Sequence, residues 1–423
     1  MLQLNYIREK KEEAIERLAI KNFDARPVLE QVLELDNERR RTQNELDSLL
    51  NEANIIAKQV GELYKQGKRA EADELKNKSV AVKESSGKLA EQFKQIEEQQ
   101  QQLLVQVPNT PSFKVPKGKT AADNENVYQE GEIPKLPAGS KPHWELAAQY
   151  DLIDFELGVK LTGAGFPVYK GKAARLQRAL INFFLDRATA SGYLEIQPPI
   201  MVNEASGYGT GQLPDKEGQM YHATIDNLYM IPTAEVPITN IYRDVILKAD
   251  QLPVKNCGYT PCFRREAGSY GKDVRGLNRL HQFDKVEIVQ IAHPDKSYET
   301  LEEMRTYVAG LMRDLELPFR ILKLCGGDMS FASALTYDFE AFSAAQEKWL
   351  EVSSVSNFET FQSNRLKLRF RGADNKTQLA HTLNGSALAL PRIVASLLEN
   401  NQTPEGIKIP KVLVPYTGFS AIN

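Results

Sequence analysis

Cysteine is scarce in this chain, with three in 423 residues, at 257, 262 and 325. Three thiols so placed form no disulfide framework, and with five histidines they make no zinc constellation. Long apolar runs are missing too: none approaches the roughly 18 residues that span a bilayer. The N-terminus, MLQLNYIREKKEEAIERL, is charged and helix-like and lacks the apolar core and cleavage site of a secretory leader. A cytoplasmic protein with reduced thiols, away from any membrane, is the expectation. A large net charge is absent as well, at −3. That argues against a protein coating DNA nonspecifically, but a polyanionic partner needs only a local basic patch.

The common nucleotide signatures are also missing. No GxxxxGK[ST] occurs, and GAGFPVYKGKA has neither its glycine spacing nor its terminal hydroxyl residue. GYGTG (207–211) is followed by QLP and reads as a turn. No kinase set and no GxSxG nucleophile elbow are present. What remains is an ordinary globular composition, 42% hydrophobic and 26% charged, over a length that suggests two or three domains.

Between residues 27 and about 106 the chain holds almost no glycine or proline and is crowded with Glu, Lys, Gln, Leu and Ala. Val28, Leu35, Thr42, Leu49, Ile56 and Leu63 repeat every seven positions, with Val32, Arg39, Leu46, Ala53 and Val60 between them. A second ladder runs through Leu75, Val82, Leu89, Ile96 and Leu103, interleaved with Ala72, Ser79, Ser86, Phe93 and Gln100. Alternating spacings of three and four place both rows on one seam of a helix. Gly67, in YKQGKRAEA, is the helix stop between them. The pattern predicts an antiparallel hairpin with arms of about 57 Å at 1.5 Å per residue. Heptads alone equally allow an intermolecular coiled coil; the short basic break favours folding back. Lys65, Lys68, Arg69, Lys76 and Lys78 near the tip, with Arg40 and Arg41 on the shaft, suit phosphates, although such positions are commonly just solvated.

At Val107 the character changes. VPNTPSFKVPKGK is proline-punctuated and reads as a linker. Beyond it, short alternating apolar segments mix with helical ones such as KAARLQRALINFFLDRATAS, which ends at Gly192, followed by a strand YLEIQPPIMV interrupted by Pro198 and Pro199. Strands with interspersed helices predict an α+β domain on an antiparallel sheet.

The densest chemistry lies in TPCFRREAGSYGKDVRGLNRLHQFDKVE (260–287). Read as two strands, Thr260, Cys262, Arg264 and Glu266 share one face, and Arg279, His281, Phe283, Lys285 and Glu287 share another. Paired as a hairpin they would gather arginines for phosphate, a ring for a nucleobase, and carboxylates for an exocyclic amine or an ammonium. Phe283 and Glu287 stand about 13 Å apart along such a strand, roughly the length of an adenylate. Surface ion pairs over a core phenylalanine would leave the same residues in the same order.

Together these segments resemble a class II aminoacyl-tRNA synthetase, and specifically the seryl-tRNA synthetases of bacterial type. The first class motif is similar to the long helix, Gly192 and the strand ending at Pro199. The second is similar to Phe263, Arg264 and Glu266, then Arg279, Phe283 and Glu287. The third is similar to NGSALALPR, ending at Arg392, with alanines at 387 and 389 and Pro391 where the class carries glycines and an acidic residue. TGQLP (210–214), TAEVP (233–237), EVSSVSN (351–357) and HTLNGS (381–386) resemble that family's segments, in its order.

The resemblance implies an antiparallel helical coiled-coil arm over 1–106 that binds tRNA, a linker over 107–120, and a class II catalytic domain over 121–423 on an antiparallel sheet flanked by helices. It implies that Thr233, Ala234, Glu235 and Glu287 bind serine, with Asn384 and Ser386 near its hydroxyl. It assigns Arg264 to the α-phosphate, Arg279 to the terminal phosphates, and Glu266 and the Leu280 backbone to adenine, between Phe283 and Arg392. Arg265, Glu351, Val352, Ser353 and Ser354 complete the ATP contacts, with Glu351 and Ser354 as Mg²⁺ ligands. Arg264, Arg279 and Arg392 carry the catalytic charge. The implied reaction attaches L-serine to tRNA(Ser) and tRNA(Sec) through a seryl-adenylate, in a homodimer. The residues alone also allow a ligase that loads a carrier protein, or an inactive RNA-binding relative.

Overall fold

The computed structural model describes residues 1–267 and 275–423. The middle of the glycine-bearing stretch between Arg264 and Arg279 thus lies outside the described residues. The chain divides into two compact units, one of Leu2–Ala19 with Phe23–Pro108, the other of Met1, Ile20–Asn22 and Asn109–Asn423.

Two long helices dominate the first unit, α1 (Arg26–Lys65) and α2 (Arg69–Leu104). Every residue of the two heptad ladders is buried or half-buried. The seams meet within one chain: Gln100 Nε2 donates to the Val32 carbonyl at 3.2 Å, Lys78 pairs with Glu52 at 3.0 Å, and Tyr64 donates to Asp73 at 2.6 Å. Numbers that rise on one helix as they fall on the other define an antiparallel hairpin. Gly67 turns it with φ +75°, and Lys68 N–H reaches back to the Leu63 carbonyl at 3.0 Å. Arg40, Arg41, Lys65, Lys68, Arg69, Lys76 and Lys78 are all exposed.

The second unit is built on an eight-stranded sheet. Its strands, in chain order, are β1 (Glu125–Glu130), β2 (Leu194–Glu195), β3 (Val254–Phe263), β4 (Gln282–Ala292), β5 (Phe319–Lys323), β6 (Leu335–Ser343), β7 (Lys348–Asn357) and β8 (His381–Ala389). They lie in the order β1-β5-β6-β7-β8-β4-β3-β2, antiparallel throughout except at the β2–β3 edge. One face is apolar. Val286, Ile288, Phe339, Val355 and Leu383 pack there against α3 (Gly171–Ala190), α4 (Ser297–Asp314) and α5 (Leu390–Asn400) through Leu180, Phe184, Met304, Val308, Ile393 and Leu397. Because side chains alternate along a strand, the neighbours of those residues point the other way. The polar residues of the site are on that second face.

Two local readings of the sequence are corrected. GYGTG is a helix rather than a turn: Glu204–Thr210 is capped by Asn203 Oδ1, which accepts from Ser206 N–H at 2.9 Å, and Gly211 ends it at φ +93°. A Cβ on Gly209 would stand 2.5 Å from Leu366 Cδ2, so glycine here serves close packing. YLEIQPPIMV is strand only at Leu194–Glu195 and Met201–Asn203, since the two prolines between them have no N–H for a ladder. Among the described residues no helix is long and apolar enough to cross a membrane.

Candidate active site

The register of the sheet decides which candidates meet. Across β3 and β4, Phe283 pairs with Cys262, Lys285 with Thr260 and Glu287 with Gly258. Across β4 and β8, Glu287 pairs with Ser386 and Val289 with Asn384, and Asn384 pairs in turn with Ser356 of β7. Phe283, Lys285, Glu287, Asn384, Ser386 and Ser354 therefore share one face.

Glu351 joins them through an irregularity. Three residues from Ser354 along a strand, it would ordinarily face the opposite side. Yet Asp338 pairs with Ser354, Phe339 with Ser353 and Glu340 with Glu351, so β7 holds one residue more than β6 at this point. This β-bulge returns Glu351 to the face of Ser354, Asp338 and Glu340. Val352 turns into the core, and the Ser353 hydroxyl donates to the Ser386 carbonyl at 2.6 Å. A second bulge, opposite Lys285–Glu287, contains Leu388 at φ +74° and sets the step from Ser386 to Ala389.

At one end of this face lies a buried charged cluster. Lys285 Nζ is 2.6 Å from Glu287 Oε2 and donates to Thr233 Oγ1 at 3.0 Å. Thr233 in turn donates to Glu287 Oε2 at 3.1 Å. Ala234 is fully buried beside them. Glu235 opens the short helix Glu235–Asn240 and accepts from Gln362 Nε2 at 2.6 Å. Burial, and then the charge of Glu287, push its carboxyl up to about 7, against hydrogen bonds from Gln362 and Asn384 and the charge of Lys285. Two carboxylates against one ammonium leave room for a further cation when both are ionised. Lys285 and Gln362 hold this cluster together, and sequence reasoning assigns neither a role. Alternation of Lys285 with Glu287 is a visible signal for the first; nothing local marks the second.

Farther along the same face stand the arginines. Arg264 follows β3 directly, and its guanidinium carbon lies 5.2 Å from the centre of the Phe283 ring. Its backbone N–H donates to the His281 carbonyl at 2.9 Å, continuing the ladder one step past the strand, while Arg265 N–H donates to the Gln219 carbonyl at 2.8 Å. Glu266 and Arg279 lie outside both strands, contrary to the simple hairpin reading, and their strand-face alternation does not hold. They meet nonetheless: Arg279 Nη1 donates to Glu266 Oε2 at 2.8 Å, with Glu266 at φ +48°. His281 is also outside the strand, stacked on Phe166 and bonded through Nδ1 to Tyr221 Oη at 2.8 Å. Leu280 is buried. Arg392 stands in the first turn of α5, where Nη1 donates to the Glu351 carbonyl at 2.7 Å and Nε to the Asn278 carbonyl at 3.1 Å.

Hard oxygen donors suit Mg²⁺, which takes one or two carboxylates and leaves most positions to water and phosphate. Glu351 and Ser354 supply such donors. Asp338 opposite Ser354 has a buried Oδ1 with no hydrogen-bond partner, so the local chemistry fits a cation. Among the described residues no cluster of three His, Cys, Asp or Glu side chains forms a complete protein cage.

Comparison with known proteins agrees with this layout. The seryl-tRNA synthetase N-terminal domain matches residues 1–111, and the tRNA synthetase class II core domain (G, H, P, S and T) matches 221–401. The chain is 50% identical to the serine–tRNA ligase of Salinibacter ruber, over 100% of this chain and 99% of that one. It is 46% identical to that of Chlorobium luteolum, with coverage of 100% and 99%. The seryl-tRNA synthetase of Pyrococcus horikoshii, solved with ATP, superposes with a TM-score of 0.91 at 33% identity, covering 100% of this chain and 99% of that one. Similarity of this extent, spanning the helical hairpin and the sheet alike, makes the chain a member of the seryl-tRNA synthetases, class II aminoacyl-tRNA synthetases that act as serine–tRNA ligases.

Proposed function

We propose that this protein joins L-serine to tRNA(Ser), and to tRNA(Sec), through a seryl-adenylate made from ATP. The observation that carries this reading is the arrangement along one sheet face: a buried, acid-rich cluster at Thr233, Glu235, Lys285 and Glu287, then Arg264 over Phe283.

The amino acid's ammonium is held by Glu287 and Thr233 with Glu235 behind them, and Asn384 and Ser386 face its hydroxyl. This leaves the carboxylate towards Arg264. Phe283 offers a face to adenine, with Arg392 at its other side, Glu266 and the Leu280 backbone read the base edge, and Arg279 takes the terminal phosphates. Arg279 then exchanges its bond to Glu266 for phosphate oxygens, and Arg264 leaves the Phe283 ring for the α-phosphate. Arg265, Glu351, Val352, Ser353 and Ser354 border the nucleotide, the buried Val352 and Ser353 through their backbone. Glu351 and Ser354 would hold Mg²⁺, which when bound supplies positive charge to the phosphate oxygens.

The carboxylate oxygen attacks the α-phosphorus, the bond to pyrophosphate breaks, and the terminal ribose hydroxyl of tRNA later attacks the acyl carbon and releases AMP. The first nucleophile is already ionised at neutral pH, so no general base is required. Rate enhancement comes from in-line positioning and from arginines fixed where negative charge develops. The exposed basic residues of the hairpin, from Arg40 to Lys78, support tRNA binding. Exposed Leu194, Ile200 and Met201 around the parallel sheet edge support a homodimer, and three free thiols suit the cytoplasm. ATP–pyrophosphate exchange that depends on serine and needs no tRNA tests the reading.

A further inference from the structure

His143 and Glu399 form a fully buried pair outside the residues assigned above, with imidazole Nδ1 2.7 Å from Glu399 Oε1. The ring's other nitrogen holds backbone, because Leu277 N–H donates to His143 Nε2 at 2.8 Å. An accepting Nε2 has no proton, so Nδ1 carries the hydrogen and donates it to the carboxylate. Glu399 is fixed in turn. His143 N–H donates to it at 2.9 Å, Gln346 Nε2 at 2.8 Å, and Ser343 Oγ closes the other oxygen. Burial alone would raise this carboxyl, but the hydrogen bonds from His143 and Ser343 hold it below its ordinary value.

The network ends on the nucleotide side of the site. Gln346 Oε1 accepts from Asn278 Nδ2 at 3.0 Å, and the Asn278 carbonyl accepts from Arg392 Nε. Gly276, at φ +66°, lies so close that a Cβ there would stand 2.2 Å from His143 Nε2. Next to His143, Trp144 carries Arg275 4.8 Å over its ring. Residues 275–278 are thus clamped just before Arg279, and the carboxylate behind the clamp belongs to α5, the helix whose first turn carries Arg392. Thr233, Glu287 and Ser386 have no bond to this network.

We propose that His143 is a positioning residue for ATP. Through Nε2 it fixes the backbone that delivers Arg279 and Leu280, and through Glu399 it couples that backbone to the helix bearing Arg392. The inference rests on the nucleotide assignment proposed above. It is specific to ATP because the clamp is built into the Arg279 and Arg392 segments alone.

The test is pyrophosphate exchange by the full-length protein, with KM for ATP and for serine measured separately, for His143→Gln, His143→Asn and His143→Ala. A glutamine places an acceptor near the Nε2 position; an asparagine places an amide donor near Nδ1 and leaves Leu277 N–H unpaired. The expected result is an ATP KM raised tenfold or more in H143N and H143A, a serine KM within twofold, and near-normal ATP KM in H143Q. Melting temperatures identify folded variants, and the comparison of H143Q with H143N stands even if H143A does not fold. An unchanged ATP KM in folded H143N, equal rises in both KM values, or an H143Q that fails to fold or matches H143N, would each overturn the proposal. Absence of serine-dependent exchange in the unsubstituted protein would instead contradict the functional reading itself.

Discussion

The hydroxyl of Thr233 donates to Glu287 Oε2 across 54 positions of sequence, and both residues are almost wholly buried. The bond joins the turn before the helix Glu235–Asn240 to the centre of the sheet and closes the pocket proposed for the substrate's ammonium. Lys285 shares both partners, so the trio is a single charge-compensated unit.

Removing one member therefore acts on folding and on binding. Glu287→Ala leaves the Lys285 ammonium buried without its carboxylate, and loss of one partner of a buried pair costs about 3–5 kcal/mol. Urea unfolding should show that loss, while the double variant Glu287→Ala with Lys285→Met recovers part of the stability and none of the serine-dependent exchange. A single variant as stable as the parent would contradict the buried pairing.

Glu235 gives a pH dependence with a definite sign. Its carboxyl is raised to about 7 by burial and by Glu287, from an unfolded value near 4.5. Between those values the folded state binds the extra proton, so this group's stabilisation is complete below pH about 4.5 and is lost as pH rises through about 7. The full effect is on the order of 3 kcal/mol at about 1.4 kcal/mol per pH unit. Thermal melts of the parent and of Glu235→Gln across that window should diverge by this trend, with the parent falling relative to the variant. Parallel curves would show that Glu235 titrates at an ordinary value.

Arg264 is bonded lightly for a residue with so central an assigned role: a 3.4 Å contact to the Pro232 carbonyl and the Phe283 ring. Arg264→Ala should thus preserve the fold and lose about 3 kcal/mol of transition-state stabilisation, the scale of one preorganised donor. Pyrophosphate exchange near the parental rate in folded protein would remove Arg264 from the mechanism.

The arm allows a separation of the two half-reactions. Excising residues 30–103 should spare serine-dependent exchange and abolish aminoacylation of tRNA. Lys68, Lys78 and Arg41 sit in exposed ion pairs with Glu71, Glu52 and Glu45, which phosphates can displace at little cost. Replacing Lys65, Arg69 and Lys76 with alanine should weaken tRNA binding and flatten its salt dependence. Charging by the excised protein at the parental rate would refute this role.

Much of this architecture is legible in the sequence, for identifiable reasons. The heptad ladders fix which side of each helix is buried, because Val32, Thr42, Ile56, Val82 and Ile96 recur at coiled-coil spacing. The alternation of Phe283, Lys285 and Glu287 likewise fixes one face of a central strand. What stays hidden depends on single-residue departures from periodicity or on distant partners. The bulge that brings Glu351 to the side of Ser354 inverts every facing beyond it, and no residue type marks it. GYGTG reads as a turn because clustered glycines ordinarily signal flexibility, whereas Gly207 and Gly209 make room for Leu213 and Leu366. Glu266 and Arg279 lie beyond the strands, where alternation no longer assigns a face, and they meet there. The clamp of His143 on Leu277 spans 134 positions and leaves no local trace.

The most direct test of the central claim is ATP–pyrophosphate exchange with purified full-length protein, offering each amino acid in turn and omitting tRNA. Exchange with serine and with no other amino acid at comparable concentration is the expected result. Exchange driven by a different amino acid, or none from folded protein, would contradict the assignment of Thr233, Glu235, Glu287 and Ser386 to serine.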